Sequence, residues 1–259
     1  MSAVDFTPVQ WEMLGGTFGL TEAARADARS IEARALHDHR ACRGVLDRLA
    51  PMIGTTDVRV AASLWSKRLA FLATGCGLYA LSVCDRGLDL SPANCVIEYA
   101  RRNDRWTAAL PLHVTRAERW APGDRLRARQ RLVEMLFGGL LAPLWRVLHE
   151  TSGVSLRMLW ENAAVRVYSL YDRRFANPAT PEIARRCDAD FRFLLDLSPA
   201  VFGLDYNPLA RFRRPRVADR AGRRVRFRRT CCLYYLATRP PEYCAACPLV
   251  DPKRGGSRS

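Results

Sequence analysis

The sequence predicts an α+β fold that is mainly helical, with one small antiparallel sheet and a cysteine-rich segment at the C-terminus. Through most of the chain, apolar residues recur at steps of three and four, which is typical of helices with one buried face. Two β-branched or aromatic runs flank a short polar turn and indicate a hairpin. Four of the nine cysteines fall within the last thirty residues.

Five helices are predicted before the C-terminal segment. The first stretch is rich in helix formers and is expected to break near His37. Asp57 is expected to cap the second helix, and Thr180 the last, with Pro181 in its first turn. The predicted ranges are 21–49, 58–72, 125–149, 155–175 and 180–195.

The predicted hairpin strands cover 95–99 and 106–114, which are separated by four polar residues that suit a turn. Towards the C-terminus the composition changes, because residues 211–229 contain ten arginines in nineteen positions. We therefore expect a mainly helical domain with a small β-hairpin over 1–206, followed by a basic C-terminal segment over 207–259.

The composition is that of a soluble globular protein, with 49% hydrophobic and 26% charged residues in a chain of 259. It excludes a disordered, collagen-like or coiled-coil chain. The N-terminus lacks the basic start and apolar run of a secretory signal. The most apolar stretch, 69–84, is shorter than the roughly 20 residues that a membrane span needs. We expect no transmembrane segment and a cytoplasmic location, with at most a loose association with the inner face of the membrane.

The cysteines fall into two groups. Four of them are clustered, as Cys231-Cys232 and, after eleven residues, Cys244-Ala-Ala-Cys247. Four thiolates within so short a segment can enclose a metal centre. The others stand singly in apolar or helical surroundings and are predicted to be small buried core residues: Cys42, Cys76, Cys84, Cys95 and Cys187.

Three chemistries are open for the clustered cysteines: zinc, an iron–sulfur cluster and a redox dithiol. Structural zinc sites usually use two Cys-x-x-Cys turns, whereas the first pair here is adjacent. Neighbouring side chains point to opposite faces of a strand, so both reach one centre only where the backbone departs from extended geometry. A two-iron cluster offers two separate ligation points and accommodates such a pair more easily, which favours the iron–sulfur interpretation.

The four-cysteine pattern resembles the end of the FhuF-type ferric siderophore reductases, with a spacer one residue longer than usual. Residues 63–65 and 159–163 also look like helix segments of that family, in which the position of Glu161 is more often glycine. The resemblance implies an oxidoreductase that reduces siderophore-bound ferric iron by one electron in the cytoplasm and releases Fe(II). It also implies that a 2Fe-2S cluster is held by Cys231, Cys232, Cys244 and Cys247.

The net charge of +15 is concentrated at the C-terminal end, where residues 201–259 contain fourteen basic and four acidic side chains. Ferric siderophores are often anionic, so Arg226, Arg228 and Arg229 are predicted to dock the substrate. The alternative is a zinc-stabilised nucleic-acid-binding protein, although no zinc-finger, RRM or helix-turn-helix pattern favours a nucleic-acid partner. In that alternative, bases would stack on nearby aromatic residues, namely Phe212, Phe227, Tyr234 and Tyr235.

The remaining polar candidates are predicted to lie at the surface. His37 and His39 are too closely spaced for a metal pair on one helix face, and Asp188 and Asp190 have no visible basic partner. No phosphate loop or dinucleotide fingerprint is present in the sequence, so a separate donor must supply the electrons.

Overall fold

Helices account for most of the residues that the computed structural model describes, which are 2–23, 30–102 and 105–252. The predicted α+β class is confirmed. The α-helices are α1 (Pro8–Glu12), α2 (His39–Ile53), α3 (Val58–Leu78), α4 (Arg125–Glu134), α5 (Ala142–Ser152), α6 (Leu156–Ser169), α7 (Pro181–Asp196) and α8 (Pro208–Arg211). Helices α1, α3, α4 and α6 continue into π-helical turns at Met13–Thr17, Tyr79–Val83, Met135–Leu141 and Leu170–Arg174.

Helix α3 lies at the centre of the molecule. Asp57 caps it as predicted, accepting a hydrogen bond of 2.8 Å from the Arg59 N–H. Fourteen of its residues are buried, because α2, α5 and α6 pack around it. At Gly75 the missing side chain leaves room for the fully buried ring of Phe18. The helix is therefore held in place on most sides, and it gives a fixed position to the segments that pack on its remaining side.

The main sheet contains the predicted hairpin. Strands β4 (Val96–Arg102) and β5 (Arg105–Leu112) are antiparallel, with Glu98 opposite Ala109; the turn residues 103–104 lie outside the described residues. Two further strands flank the hairpin, and the smaller sheets are two-stranded. The flanking strands are β3 (Ser30–Glu32), antiparallel to β4, and β2 (Leu20–Glu22), parallel to β5. The smaller sheets pair β1 (Ser2–Val4) with β6 (Ala117–Arg119), and β7 (Val217–Ala218) with β8 (Arg224–Val225).

The predicted first helix over 21–49 is wrong in its first half. Strands β2 and β3 occupy this region, residues 24–29 lie outside the described residues, and α2 begins only at His39. Both outer edges of the hairpin offer unpaired backbone groups, and pairing with them outweighs local helix propensity. The second half is correct, since Asp38 caps α2 and Gly54, at φ 88°, ends it.

The prediction that Asp190 is a surface acid is also wrong, whereas Asp188 is exposed. The Asp190 carboxylate is buried, lies 2.8 Å from Arg125 and 3.3 Å from Arg129, and accepts a hydrogen bond from Ser82. These partners are 61 or more residues away in the sequence, so no local pattern shows them. The pairing compensates the cost of burying the charge.

The isolated cysteines and histidines lie where the sequence predicts them. All five single cysteines are buried and form no disulfide, as expected of core residues. Burial raises the pKa of Cys42 and of Cys187 to about 11, which keeps both thiols protonated. His37 and His39 are exposed. None of these residues lies in the clustered-cysteine segment.

One helical stretch, Arg125–Ser152, is long and apolar enough to cross a membrane by length and composition alone. Of its most apolar window, 56% is buried inside the protein, as in the core helix of a globular fold. The candidate stretch 69–84 belongs to α3 and the π-helical turn after it, and it too packs in the core.

Gly75→Ala is expected to destabilise the protein, because an added Cβ atom would lie 2.2 Å from the Phe18 ring. Overpacking of this kind costs about 1–3 kcal/mol, which urea denaturation measures as a lower free energy of unfolding. Gly16→Ala is the matched control, since nothing lies within 4 Å of its Cβ position. Equal stability of the two variants would contradict the close contact between α3 and Phe18.

Candidate metal centre

The four clustered cysteines lie together beside the N-terminal half of α3. Cys232 and Cys244 are in contact, with their sulfur atoms 3.5 Å apart. Cys231 and Cys247 lie beside each other as a second pair. Cys232 and Cys247 are buried, whereas Cys231 and Cys244 are half-buried. The structure thus brings all four predicted residues together, as two pairs of thiols.

The backbone bends at the adjacent cysteine pair, as the sequence requires. Leu233, which follows the pair, has a φ of 62°, a left-handed conformation that costs a non-glycine residue roughly 1–2 kcal/mol. Its N–H lies 3.4 Å from the sulfur of Cys231. The carbonyl of Cys232 accepts a hydrogen bond of 2.9 Å from the hydroxyl of Ser63 on α3. This bend allows both neighbouring side chains to reach one region.

A buried carboxylate fixes the residues that precede the first cysteine. Glu161 on α6 is 1% exposed, and its oxygens accept hydrogen bonds from the backbone N–H groups of Arg229 at 2.6 Å and Thr230 at 2.7 Å. It also lies 3.8 Å from Nε of the buried Arg228, which donates to Oδ1 of Asn162 at 2.6 Å. We call Glu161, Asn162 and Arg228 the anchor.

The anchor also joins the two central helices. The side-chain amide of Asn162 donates to the carbonyl of Ser63 and to the hydroxyl of Ser66, both at 2.9 Å. Because Ser63 in turn binds Cys232, one network connects α3, α6 and the cysteine segment. Buried polar networks of this kind rigidify a structure when their members are paired.

Cationic side chains surround the sulfur atoms. Nζ of Lys67 lies 3.8 Å from the sulfur of Cys232, and Arg166 and Arg228 lie nearby. A hydrogen bond from Cys244 and the charges of Lys67 and Arg228 lower the pKa of Cys232 well below its ordinary value. Burial and the charge of Arg228 lower the pKa of Arg166 to about 10. Crowded cations are costly unless an anion lies among them.

Comparison with known families agrees with this geometry. Residues 63–224, more than half of the chain, match the family described as ferric iron reductase FhuF-like transporter. The chain belongs to this family. Residues 228–249, which contain the four clustered cysteines, match the FhuF 2Fe-2S C-terminal domain, so the cofactor is a 2Fe-2S cluster. None of the curated proteins in the comparison matches the sequence.

The residues of this FhuF-like reductase fit such a cluster. Four thiolates and two sulfides outweigh the charge of two ferric ions, so the cluster is anionic and suits the surrounding cations. Nη1 of Arg228 is buried without a hydrogen-bond partner among the described residues, and it can donate to a sulfur atom. In the described ranges, no three His, Cys, Asp or Glu side chains are gathered to hold a single ion. Two thiol pairs suit two irons better than one zinc.

The three arginines predicted to dock the substrate differ in their surroundings. Arg229 is exposed. The side chain of Arg226 is 17% exposed, pairs with Asp172 at 3.0 Å and donates to the carbonyl of Arg214. Arg228 is 2% exposed, which corrects the expectation of a surface position, because the anchor encloses its guanidinium. Docking by Arg226 and Arg229 stays a prediction.

No pattern in the sequence indicates a role for the residues that hold the cysteine segment. Ser63, Glu161 and Asn162 lie in the stretches that resemble the family, yet nothing local showed that they bind the cysteine segment. Lys67 lies beside Cys232 and is one of only two lysines in a basic chain. This rarity is the one feature of the sequence that sets it apart. Partners this far apart in sequence are visible only in the folded chain.

The aromatic residues do not support base stacking. Phe212 and Phe227 are buried, so neither offers a free ring face. Tyr235 stacks on Tyr243, with ring centroids 5.6 Å apart, and thereby closes the eleven-residue spacer between the cysteine pairs. Phe212 and Phe227 therefore offer no face to a base, and Tyr235 uses one face to hold the cysteine segment, so these three rings give the nucleic-acid alternative no support.

Glu161→Gln is expected to loosen the cysteine segment, because a neutral amide leaves Arg228 uncompensated and offers only one accepting oxygen. Breaking a buried pair costs about 3–5 kcal/mol, so the free energy of unfolding should fall and a chelator should remove iron faster. The control is Glu150→Gln, whose exposed pair with His39 is worth about 1 kcal/mol or less. Equal unfolding free energies for the two variants would contradict the anchor.

Proposed function

We propose that this protein reduces ferric siderophores in the cytoplasm, passing one electron to the chelated iron and releasing it as Fe(II). We also propose that Cys231, Cys232, Cys244 and Cys247 are the ligands of its 2Fe-2S cluster. One observation carries the proposal: the four thiols of the cluster domain form two pairs among cations, and two of them, Cys231 and Cys244, are partly accessible.

The sulfur contacts indicate how the ligands divide between the two irons. Cys232 and Cys244 are in contact and would hold one iron, while Cys231 and Cys247 would hold the other. Each iron then takes one residue of the adjacent pair and one residue of the Cys-x-x-Cys turn. Lys67 lies beside Cys232, so its charge would act most strongly on the iron held by Cys232 and Cys244.

The chemistry of the substrate explains why a one-electron carrier is sufficient. Siderophores bind Fe(III) through hard anionic oxygen atoms, and Fe(II) is held far less tightly by the same ligands. Reduction therefore releases the metal without a general acid, a general base or a nucleophile. When bound, the cluster supplies the electron.

The side chains around the sulfurs serve this electron transfer in two ways. The charges of Lys67, Arg166 and Arg228 stabilise the more negative reduced form and so raise the reduction potential. The anchor keeps the cysteine segment in one geometry, so that little rearrangement accompanies the change of charge.

A separate donor must complete the cycle, because the sequence has no flavin- or nicotinamide-binding fingerprint. In each turnover one electron enters from a reduced one-electron carrier and leaves to Fe(III). The carrier is oxidised, the iron is reduced, and no covalent bond in the protein changes.

The state of the thiols supports a cytoplasmic location. All nine cysteines are free in the structure, although two of them, Cys231 and Cys244, are accessible enough to be oxidised in a disulfide-forming compartment. Reduced thiols and an intact thiolate-bound cluster are typical of a reducing compartment.

Cys247→Ser is expected to lose most of the cluster, because a serine hydroxyl is a harder and much less acidic ligand than a thiol. Iron and acid-labile sulfide per chain, together with visible absorption, measure the loss. Cys187→Ser is the control and should keep full cluster content, since Cys187 is buried outside the cluster domain. Full cluster content in Cys247→Ser would overturn the ligand assignment.

Mixed with a ferric siderophore without oxygen, the reduced protein is expected to be reoxidised, with one Fe(II) formed per electron lost. Stopped-flow absorbance follows the cluster, and a chromogenic Fe(II) chelator follows the product. A reduced cluster that no ferric siderophore or other ferric chelate oxidises would contradict the proposed function and indicate a sensing or structural cluster.

A further inference from the structure

A pocket of about 250 Å³ opens beside Cys244. Helix α6, the π-helical turn after it and strand β8 form much of its wall. Ala245 and Ala246 line it with small side chains, and Tyr168 and Val225 add apolar surface. Of the four clustered thiols, Cys244 is the one found among the described residues of this lining. The pocket therefore adjoins one of the two half-buried ligands of the proposed cluster.

The pocket is strongly basic. Seven cationic side chains line it, and Asp172 is the single acidic residue among its described lining. The carboxylate of Asp172 already pairs with Arg216 at 2.8 Å and with Arg226 at 3.0 Å. An excess of positive charge therefore remains at the pocket, and concave sites with apolar walls concentrate such a field.

Two of these cations are available to a ligand. Arg173 and Arg224 are exposed, and within the described ranges neither side chain forms an ion pair or a hydrogen bond. They lie on different elements, Arg173 in the π-helical turn after α6 and Arg224 in β8, so a ligand between them is held from two sides. Guanidinium groups bind carboxylates through two parallel hydrogen bonds.

The size of the pocket limits what can enter it. Sites that enclose a drug-sized ligand usually span roughly 300–1,000 Å³, so this pocket of about 250 Å³ takes one arm of a chelate. The metal end of the chelate then stays outside the enclosed space, and Cys244 is the proposed cluster ligand that the bound chelate approaches. That position suits electron transfer to the iron.

We propose that this pocket binds a carboxylate arm of a negatively charged ferric chelate, with Arg173 and Arg224 as its specificity-determining contacts. The inference rests on the proposed reductase function and names the substrate class for it. One electron from the reduced cluster converts the chelated Fe(III) to Fe(II). The carboxylate arm keeps its charge, and no covalent bond in it forms or breaks.

The test compares two ferric chelates of different charge with the Arg173→Gln, Arg224→Gln double variant. The chelates are ferric DTPA, which is negatively charged and keeps a carboxylate that is not bound to the iron, and ferric tris(acetohydroxamate), which is neutral. After reduction with dithionite, the second-order rate of reoxidation by ferric DTPA should fall about 10-fold at low ionic strength. The loss should shrink at high salt, and the rate with the neutral chelate should change less than about twofold.

A binding measurement gives a readout that does not depend on reduction. Gallium(III) DTPA has the charge of the ferric complex and also keeps a carboxylate that is not bound to the metal, but it accepts no electron, and titration calorimetry measures its affinity. We expect the glutamine variant to bind it about 10-fold more weakly and the Arg173→Lys, Arg224→Lys variant to recover part of the loss.

The control is Arg127→Gln, Arg185→Gln, which removes the same charge from two exposed arginines outside the pocket. It should leave both rates within about twofold of the unchanged protein. If the glutamine variant slowed reoxidation equally with both chelates, or if the control variant lost as much rate, the proposed role of the pocket would be overturned. The reductase function would remain intact. Reoxidation by neither chelate, with arginine-dependent binding of gallium DTPA retained, would overturn the reductase function and leave the proposed role of the pocket standing.

Discussion

The burial of the Glu161 carboxylate constrains the rest of the site. An isolated charge at this depth would be strongly unfavourable, so the structure must bring donors to it, and the donors are the backbone and guanidinium groups just before Cys231. The same carboxylate therefore compensates Arg228 and sets where the cysteine segment begins. Because Asn162 extends the anchor to α3, the helical core and the cluster domain are fixed by one network.

Positive charge is divided by depth, and the two layers serve different partners. Lys67, Arg166 and Arg228 lie close to the sulfurs, where they balance an anionic cluster that in turn relieves their mutual repulsion. Arg173 and Arg224 lie further out at the pocket, where both side chains are exposed and solvent stabilises their charges in the absence of a ligand. Arg224 and Arg228 come from the basic C-terminal segment, whereas Lys67, Arg166 and Arg173 come from α3, α6 and the π-helical turn after α6, so the two layers are assembled from distant parts of the chain.

Local signals in the sequence predicted much of the fold and the four cysteines. Residues close in sequence determine the Asp57 cap, the β4–β5 hairpin and the four-cysteine pattern. Partners far away in sequence determine the strands β2 and β3 and the burial of Asp190. Lys67 contacts a cysteine 165 residues later, a separation at which no spacing rule applies. Family resemblance marked the stretch containing Glu161, but only the folded chain gives it a role. The domain division at residue 207 stays a prediction.

The interpretation of the site depends on a cluster of two irons and two sulfides in the cysteine segment. Absorption and EPR spectra of protein purified without oxygen, before and after dithionite, test it directly when iron, sulfide and zinc are assayed on the same sample. We expect visible bands that bleach on reduction, a spin-half signal in the reduced form, and about two irons and two sulfides per chain. A colourless protein with one zinc per chain would contradict it.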